Sequence, residues 1–204
     1  MVNIDNFKKL EKEYGIYGSW AIWTEPDVSP KSNTGDMSWV NDDLHEKVGT
    51  GFVFVGLNCA DGHGNQNQDG KIKWKNFHSD YRFQNDYKLR FALKETPYWG
   101  SYITDIIKDY FETDSSKVAL SIKKNPEFVQ KNIKLFEREL ELIGHKNPVI
   151  VAMGGASYNI LQRYLGDRYT VIKVKHYAYR ISKEKYREQA VSYTHLTLPT
   201  NSLV

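Results

Sequence analysis

The chain has 204 residues, 40% of them apolar and 14% aromatic, with a formal net charge of +3. That composition suits one globular domain with a sizeable core and excludes a disordered chain. No apolar run approaches the ~20 residues that span a bilayer, and so small a net charge does not by itself announce a nucleic-acid partner.

The first residues, MVNIDNFKKLEKEYG, are charged and amphipathic and lack the apolar core of a signal peptide. Asp5 to Tyr14 reads as a short helix, with Phe7 and Leu10 three positions apart. Ser19 to Thr24 reads as a strand or an extended packing segment. Glu25 to Asp36, rich in Pro, Ser, Asn and Gly, reads as a loop. Ser38 to Val48 can be helical. Gly51 to Val55 carries a short apolar run bounded by turn residues, the pattern of a strand buried on both faces. It ends in Gly56 and Asn58, then enters a polar loop from Cys59 to Lys71. In open α/β sheets, ligands bind just beyond the carboxyl ends of such strands.

Asp80 to Lys94 has helical periodicity, and Tyr98 to Ile107 is a second strand candidate. Asn125 and Pro126 open a long helix, with Asn125 as cap and Pro126 at the first turn. Phe128, Ile133, Phe136, Leu140 and Ile143 form its apolar face, and Gly144 stops it. Pro148 to Met153 is a third strand, Ser157 to Leu165 a helix, and Tyr169 to Val174 a fourth strand. A charged helical tail follows His176 to Arg180. Strands alternating with helices predict a three-layer α/β/α domain around a mostly parallel four-stranded sheet.

Cys59 is the one cysteine, so no disulfide within the chain is possible, which fits a reducing cytoplasm. VSYTHLTLPT, from Val191 to Thr200, resembles the in-frame translation of a sequencing adaptor. Residues 191–204, His195 among them, are therefore set aside as non-native. The domain is expected to span 1–190, with residues 1–50 packing on it as an extension.

Four segments in order resemble the uracil-DNA glycosylase superfamily. VFVGLN resembles the first active-site motif, which reads Gly-x-Asn-Pro-Gly in the mismatch-specific and single-strand-selective branches. SYITDIIKD resembles the family strand YITNxVK. The stretch from Asn125 to Leu161 resembles the family's helix-strand-helix unit, and KVKHYAYR occupies the place of the second motif, commonly His-Pro-Ser. The resemblance covers roughly Gly51 to Arg187. It departs at Cys59-Ala60, where the family has Pro-Gly, and at Tyr177-Ala178, where it often has Pro-Ser.

The resemblance implies hydrolysis of the N-glycosidic bond of a base flipped out of DNA. Such chemistry needs a group that positions water, a donor for the leaving base and a pocket that reads the base edge. Asn58 is the candidate for the water, or else caps its own turn. Asp61 is a neighbouring carboxylate that can act instead, or is a turn residue. His176 is the candidate donor to the base, or a packed histidine. Gly56, Leu57, Phe77 and Asp105 are candidates for base binding, Phe77 by stacking.

Asp105 stands where the family pattern has Asn. An amide supplies both the donor and the acceptor that uracil needs, whereas an ionised carboxylate only accepts. If it faces the pocket, Asp105 suits an exocyclic amine, as on cytosine or adenine. The alternative has it pairing with Lys108 or capping backbone. Lys173, Lys175, Arg180 and Lys183 are expected to hold DNA phosphates, and Tyr177 and Tyr179 to wedge into the gap left by the base. The expected partner is DNA, bound by a monomer without metal or cofactor. Two other classes compete: a catalytically inactive nucleobase or nucleic-acid binding module of the same fold, and an unrelated hydrolase using Ser157. Ser157 lacks the Gly-x-Ser-x-Gly elbow.

Overall fold

The structure is a computed structural model that describes residues 1–25, 34–59, 72–81, 83–108, 110 and 112–195. Its strands are β1 (Ser19–Trp20), β2 (Gly49–Asn58), β3 (Ser101–Ile107), β4 (Val149–Met153) and β5 (Val171–Val174). Its helices are α1 (Ile4–Tyr14), α2 (Leu44–Lys47), α3 (Asp86–Leu93), α4 (Ser115–Lys124), α5 (Pro126–Ile143), α6 (Gly155–Leu165) and α7 (Lys183–His195).

The five strands lie in the order β1-β3-β2-β4-β5. The four strands expected from the sequence form a parallel sheet, with Phe54 opposite Ile103 on one side and Val151 on the other. The fifth strand corrects the expected count: β1 adds antiparallel to β3, pairing Ser19 with Ile103, so the sheet is mixed. Only Ser19 and Trp20 of the SWAIWT segment form the strand: Ala21 still exchanges backbone bonds with Ser101 and Gly100, where β3 begins, and the Ile22 amide then turns back to the Trp20 carbonyl.

Alternation along the strands builds two cores. Val53, Val55, Tyr102, Ile106, Ile150 and Ala152 face α1, α5 and α6. Phe54, Ile103, Val151, Met153 and Val174 face α3 and α7. At ~25 cal/mol per Å2 of apolar area removed from water, these two interfaces supply the main driving force for folding. Among the described residues no helix is long and apolar enough to cross a membrane.

The long helix behaves as its sequence predicts at both ends, with Pro126 in the first turn and Gly144 left-handed at φ 77°. Asn125 differs from expectation. Its side chain donates back to the Ser121 carbonyl, closing α4 rather than capping α5. α4 has no counterpart among the elements expected from the sequence. It starts because Asp114 accepts from the Ser116 amide, the work of an N-cap. The predicted helix over Ser38–Val48 is confined to α2, preceded by single turn bonds such as Val40 N–H to the Met37 carbonyl. The helix over Asp80–Lys94 starts only at Asp86. α7 runs past Ala190 to His195, into the segment set aside in the sequence, and Val191 packs on the second core.

Candidate functional site: a cavity at the carboxyl ends of the parallel strands

A cavity of about 290 Å3 opens where β2 and β3 end and the chain leaves β5. Its lining includes Leu57, Asn58, Asn76, Phe77, Asp86, Asp105, His176 and Tyr177. That volume is at the small end for ligand pockets, the scale of one or two fused rings. Gly56, Leu57, Asn58, Phe77, Asp105 and His176, expected at a site from the sequence, thus meet at one place.

The floor follows from strand register. Gly56 and Asp105 are partners across β2 and β3, so both project to the face that carries Phe54 and Ile103. Asp105 is buried, and its Oδ2 accepts from Asn76 Nδ2 at 2.9 Å and from the Cys59 thiol at 3.4 Å. Its Oδ1 lies over Gly56, where a Cβ would sit only 2.2 Å away and 3.7 Å from the Phe77 ring. Lys108 does not pair with this carboxylate. Its Nζ donates to the Asp105 backbone carbonyl and reaches Glu139 at 2.7 Å on the opposite core. Burial therefore pushes the Asp105 carboxyl up to about 6, with hydrogen bonds from Asn76 and Cys59 opposing it. Burial also pushes the Cys59 thiol up, so it stays a protonated donor.

Phe77 is held in a conformation that L residues seldom adopt, φ 64°. Two hydrogen bonds hold it: the Phe77 amide donates to Asn76 Oδ1 at 3.1 Å, and Trp23 Nε1 donates to the Phe77 carbonyl at 3.1 Å. Asn76 thus uses both ends of its amide, one on Asp105 and one on Phe77, and fixes the ring against the carboxylate. Such strain persists only where surroundings over-determine it, and it concentrates at functional sites. His78, next along, is buried between Trp23 and Trp39, and burial lowers it to about 3. It is a neutral packing residue.

Asn58 serves two ends. Its Nδ2 donates to the carbonyls of Glu112 at 2.8 Å, Tyr110 at 3.2 Å and Cys59 at 3.3 Å. The amide clips the end of β2 to the segment after β3, and Asn58 also lines the cavity; its Oδ1 can only accept. His176 is half-buried, and burial lowers it to about 4, so the ring is neutral near pH 7. Its Nδ1 accepts from the Ala178 amide at 3.1 Å, which puts the proton on Nε2. The imidazole is thus set as a neutral donor.

Two placements differ from expectation. Tyr177 does not project as a wedge. Its ring stacks on His176 at 4.4 Å and meets Phe77 edge-on at 6.2 Å, and its hydroxyl lies against the Asp86 carboxylate. Lys183 is laid over the Phe91 ring at 4.5 Å, beside Glu184. Lys173, Lys175, Arg180 and Tyr179 are exposed, with Lys175 over the Tyr179 ring at 5.0 Å. Asp61 lies outside the described residues.

Sequence reasoning missed Asp86 and Asn76. Asp86 is buried at the start of α3, accepts from the Ser79 amide at 3.1 Å, and is pushed up to about 6 by burial. An acidic residue in a first helical turn ordinarily complements the helix dipole, so nothing in the sequence marked it. Asn76 was hidden by the aromatic residues around it. The cavity thus combines two buried carboxyls, a neutral histidine donor and two aromatic rings. No protein-family model, curated protein or solved structure matches this chain.

Proposed function

We propose that the chain is a DNA glycosylase-like N-glycosyl hydrolase that removes a flipped base, preferring an amino-bearing base to uracil. The observation that carries this reading is the Asp105 carboxylate buried in the cavity floor beside the Phe77 ring. An ionised carboxylate accepts from an exocyclic amine and repels the O4 of uracil. The resemblance of VFVGLN, SYITDIIKD and KVKHYAYR to the uracil-DNA glycosylase superfamily supplies the reaction class, and the meeting of Asn58, Asp105 and His176 at one cavity supports it.

In this mechanism the base enters against Phe77 with its amine toward Asp105. His176 Nε2–H donates to the base as the glycosidic electron pair moves onto it. Water held by Asn58 Oδ1 adds to the cationic sugar carbon and loses its proton to solvent. The products are the free base and an abasic sugar. A pre-placed donor of this kind is worth ~3–4 kcal/mol in the transition state.

The test incubates the protein with single- and double-stranded oligonucleotides carrying uracil, cytosine, adenine or hypoxanthine, then reveals abasic sites with alkali. Excision of an amino-bearing base, abolished by Asn58→Ala, is the expected result. One observation favours a second reading, a nucleobase-binding module without catalysis: the Asn58 amide is engaged by three carbonyls and has a structural task of its own. Base binding without excision on any substrate would establish that reading.

A further inference from the structure

We infer that the mouth of the cavity is a stacking rim for single-stranded nucleic acid, formed by Phe83 and Tyr81 on one side and Tyr179 on the other. This rests on the nucleic-acid reading of the cavity and names the form of its substrate. Buried aromatics are ordinary, whereas large exposed rings close to a cavity mark an interaction surface. Phe83 is 64% exposed, Tyr179 55% and Tyr81 37%.

All three rings lie within two residues of chain that lines one opening. Ser79 and Gln84, on either side of the Tyr81–Phe83 pair, line the cavity, as do His176 and Tyr177 just before Tyr179. Tyr81 and Phe83 meet edge-on at 5.3 Å. Lys88 of α3 donates to the Tyr179 carbonyl at 3.0 Å and fastens the two sides together.

The charge beside the rim selects the occupant. A second pocket, lined by Lys173, Lys175 and Tyr179 among others, shares His176 with the cavity. Among the described residues Lys173, Lys175 and Arg180 form no ion pair. Rings that stack on bases, next to unneutralised cations, are the means by which proteins hold single strands without reading sequence. A paired duplex keeps its bases stacked on each other and offers the rings no faces. A protein partner would be expected to meet the cations with acidic side chains, and is an outcome of the test below.

The experiment measures fluorescence anisotropy of a labelled twelve-nucleotide thymidine strand, and of the same strand paired with its complement, on the full chain. The single strand is expected to bind more tightly than the duplex. Phe83→Ala should weaken single-strand binding roughly tenfold, and Phe83→Trp should retain it. Equal affinity of Phe83→Ala and parent, or tighter binding of the duplex, overturns the proposal. Failure of either strand to bind, with the protein forming dimers that Phe83→Ala dissolves, also overturns it and assigns the rim to a protein partner. Phe83-dependent single-strand binding without excision of any base upholds the rim while removing the hydrolase reading. Excision unaffected by Phe83→Ala does the reverse.

Discussion

Gly56 and Asp105 face each other across adjacent parallel strands so closely that the carboxylate occupies the space a Cβ at Gly56 would need, 2.2 Å from Oδ1. The glycine is therefore required by its neighbour and not by its own backbone. Gly56→Ala should drive the Asp105 carboxylate out of its bonds with Asn76 and Cys59. The expected cost is ~1–3 kcal/mol of stability, the range for an overpacked core. Base preference should be lost with it. Double substitution with Asp105→Ala, which vacates the space, should recover most of the stability in chemical denaturation but not the preference. A Gly56→Ala protein as stable as the parent would show that the two strands yield.

Asp105 also gives the stability a defined pH dependence. Burial raises its folded value to about 6, above the ordinary carboxyl range, so the folded chain holds this proton longer than the unfolded chain does. Its favourable contribution is present in acid, below the unfolded value, and is lost as pH rises through about 6. Asp105→Asn should accordingly raise the melting temperature at pH 8, by up to ~3 kcal/mol in free energy, and much less at pH 4. Asp86, raised to about 6 by the same cause, should behave alike. A gain for Asp105→Asn that is larger at pH 4 than at pH 8 would overturn the sign.

The same proton should tune selectivity. Above pH 7 the carboxylate only accepts and favours an amine. Below pH 6 it is protonated, and because Oδ2 already accepts from Asn76, the proton belongs on Oδ1 beside the Phe77 ring. The acid then offers a donor and an acceptor, as an amide does. Relative excision or binding of uracil against cytosine should rise between pH 8 and pH 5 in the parent and stay flat in Asp105→Asn. A parallel change in both proteins would place the titration elsewhere.

On the other side of the sheet, Lys108 and Glu139 form a fully buried ion pair at 2.7 Å, and Tyr102 and Thr104 donate to the same carboxylate at 2.9 and 2.8 Å. Removing one partner leaves a buried charge uncompensated. Glu139→Ala should cost ~3–5 kcal/mol, while replacing both residues with apolar ones of similar size should cost much less. Chemical denaturation of the single and double variants decides between them. A mild Glu139→Ala would mean that water enters to solvate the lysine.

Much of this arrangement was legible in the sequence. The VFV run, the Pro126 start and the Gly144 stop are local signals, and local chemistry fixed them. β1 was not resolved as a strand because its pairing is set by β3, far along the chain, and involves two residues. The facing of Asp105 needed the register with Gly56, since alternation leaves two faces equally open. Glu139 did carry a signal: it falls three residues after Phe136 on the apolar stripe of α5, where a carboxylate needs a buried cation. Asn76 and Asp86 carried none, because their partners, Asp105 and the Ser79 amide, meet them only in the folded chain.

His176 offers the most direct test of the site's chemistry. An imidazole at the ordinary value would be partly charged at pH 6 and would donate from both nitrogens. Here burial lowers it to about 4 and the Ala178 amide fills Nδ1. The ring should remain in one neutral form, with the proton on Nε2, from pH 5.5 to 8. Nitrogen chemical shifts of the labelled histidine side chains read this directly, with His176→Gln used to assign the signal. A midpoint near 6.5 would show that the ring is solvated and not set as a donor. If it is a donor in the reaction, His176→Ala should slow excision ~100- to 1,000-fold with little change in affinity for the base. His176→Gln, which keeps an N–H at similar reach, should lose less. An equal loss in both variants would assign the residue to packing against Tyr177 instead.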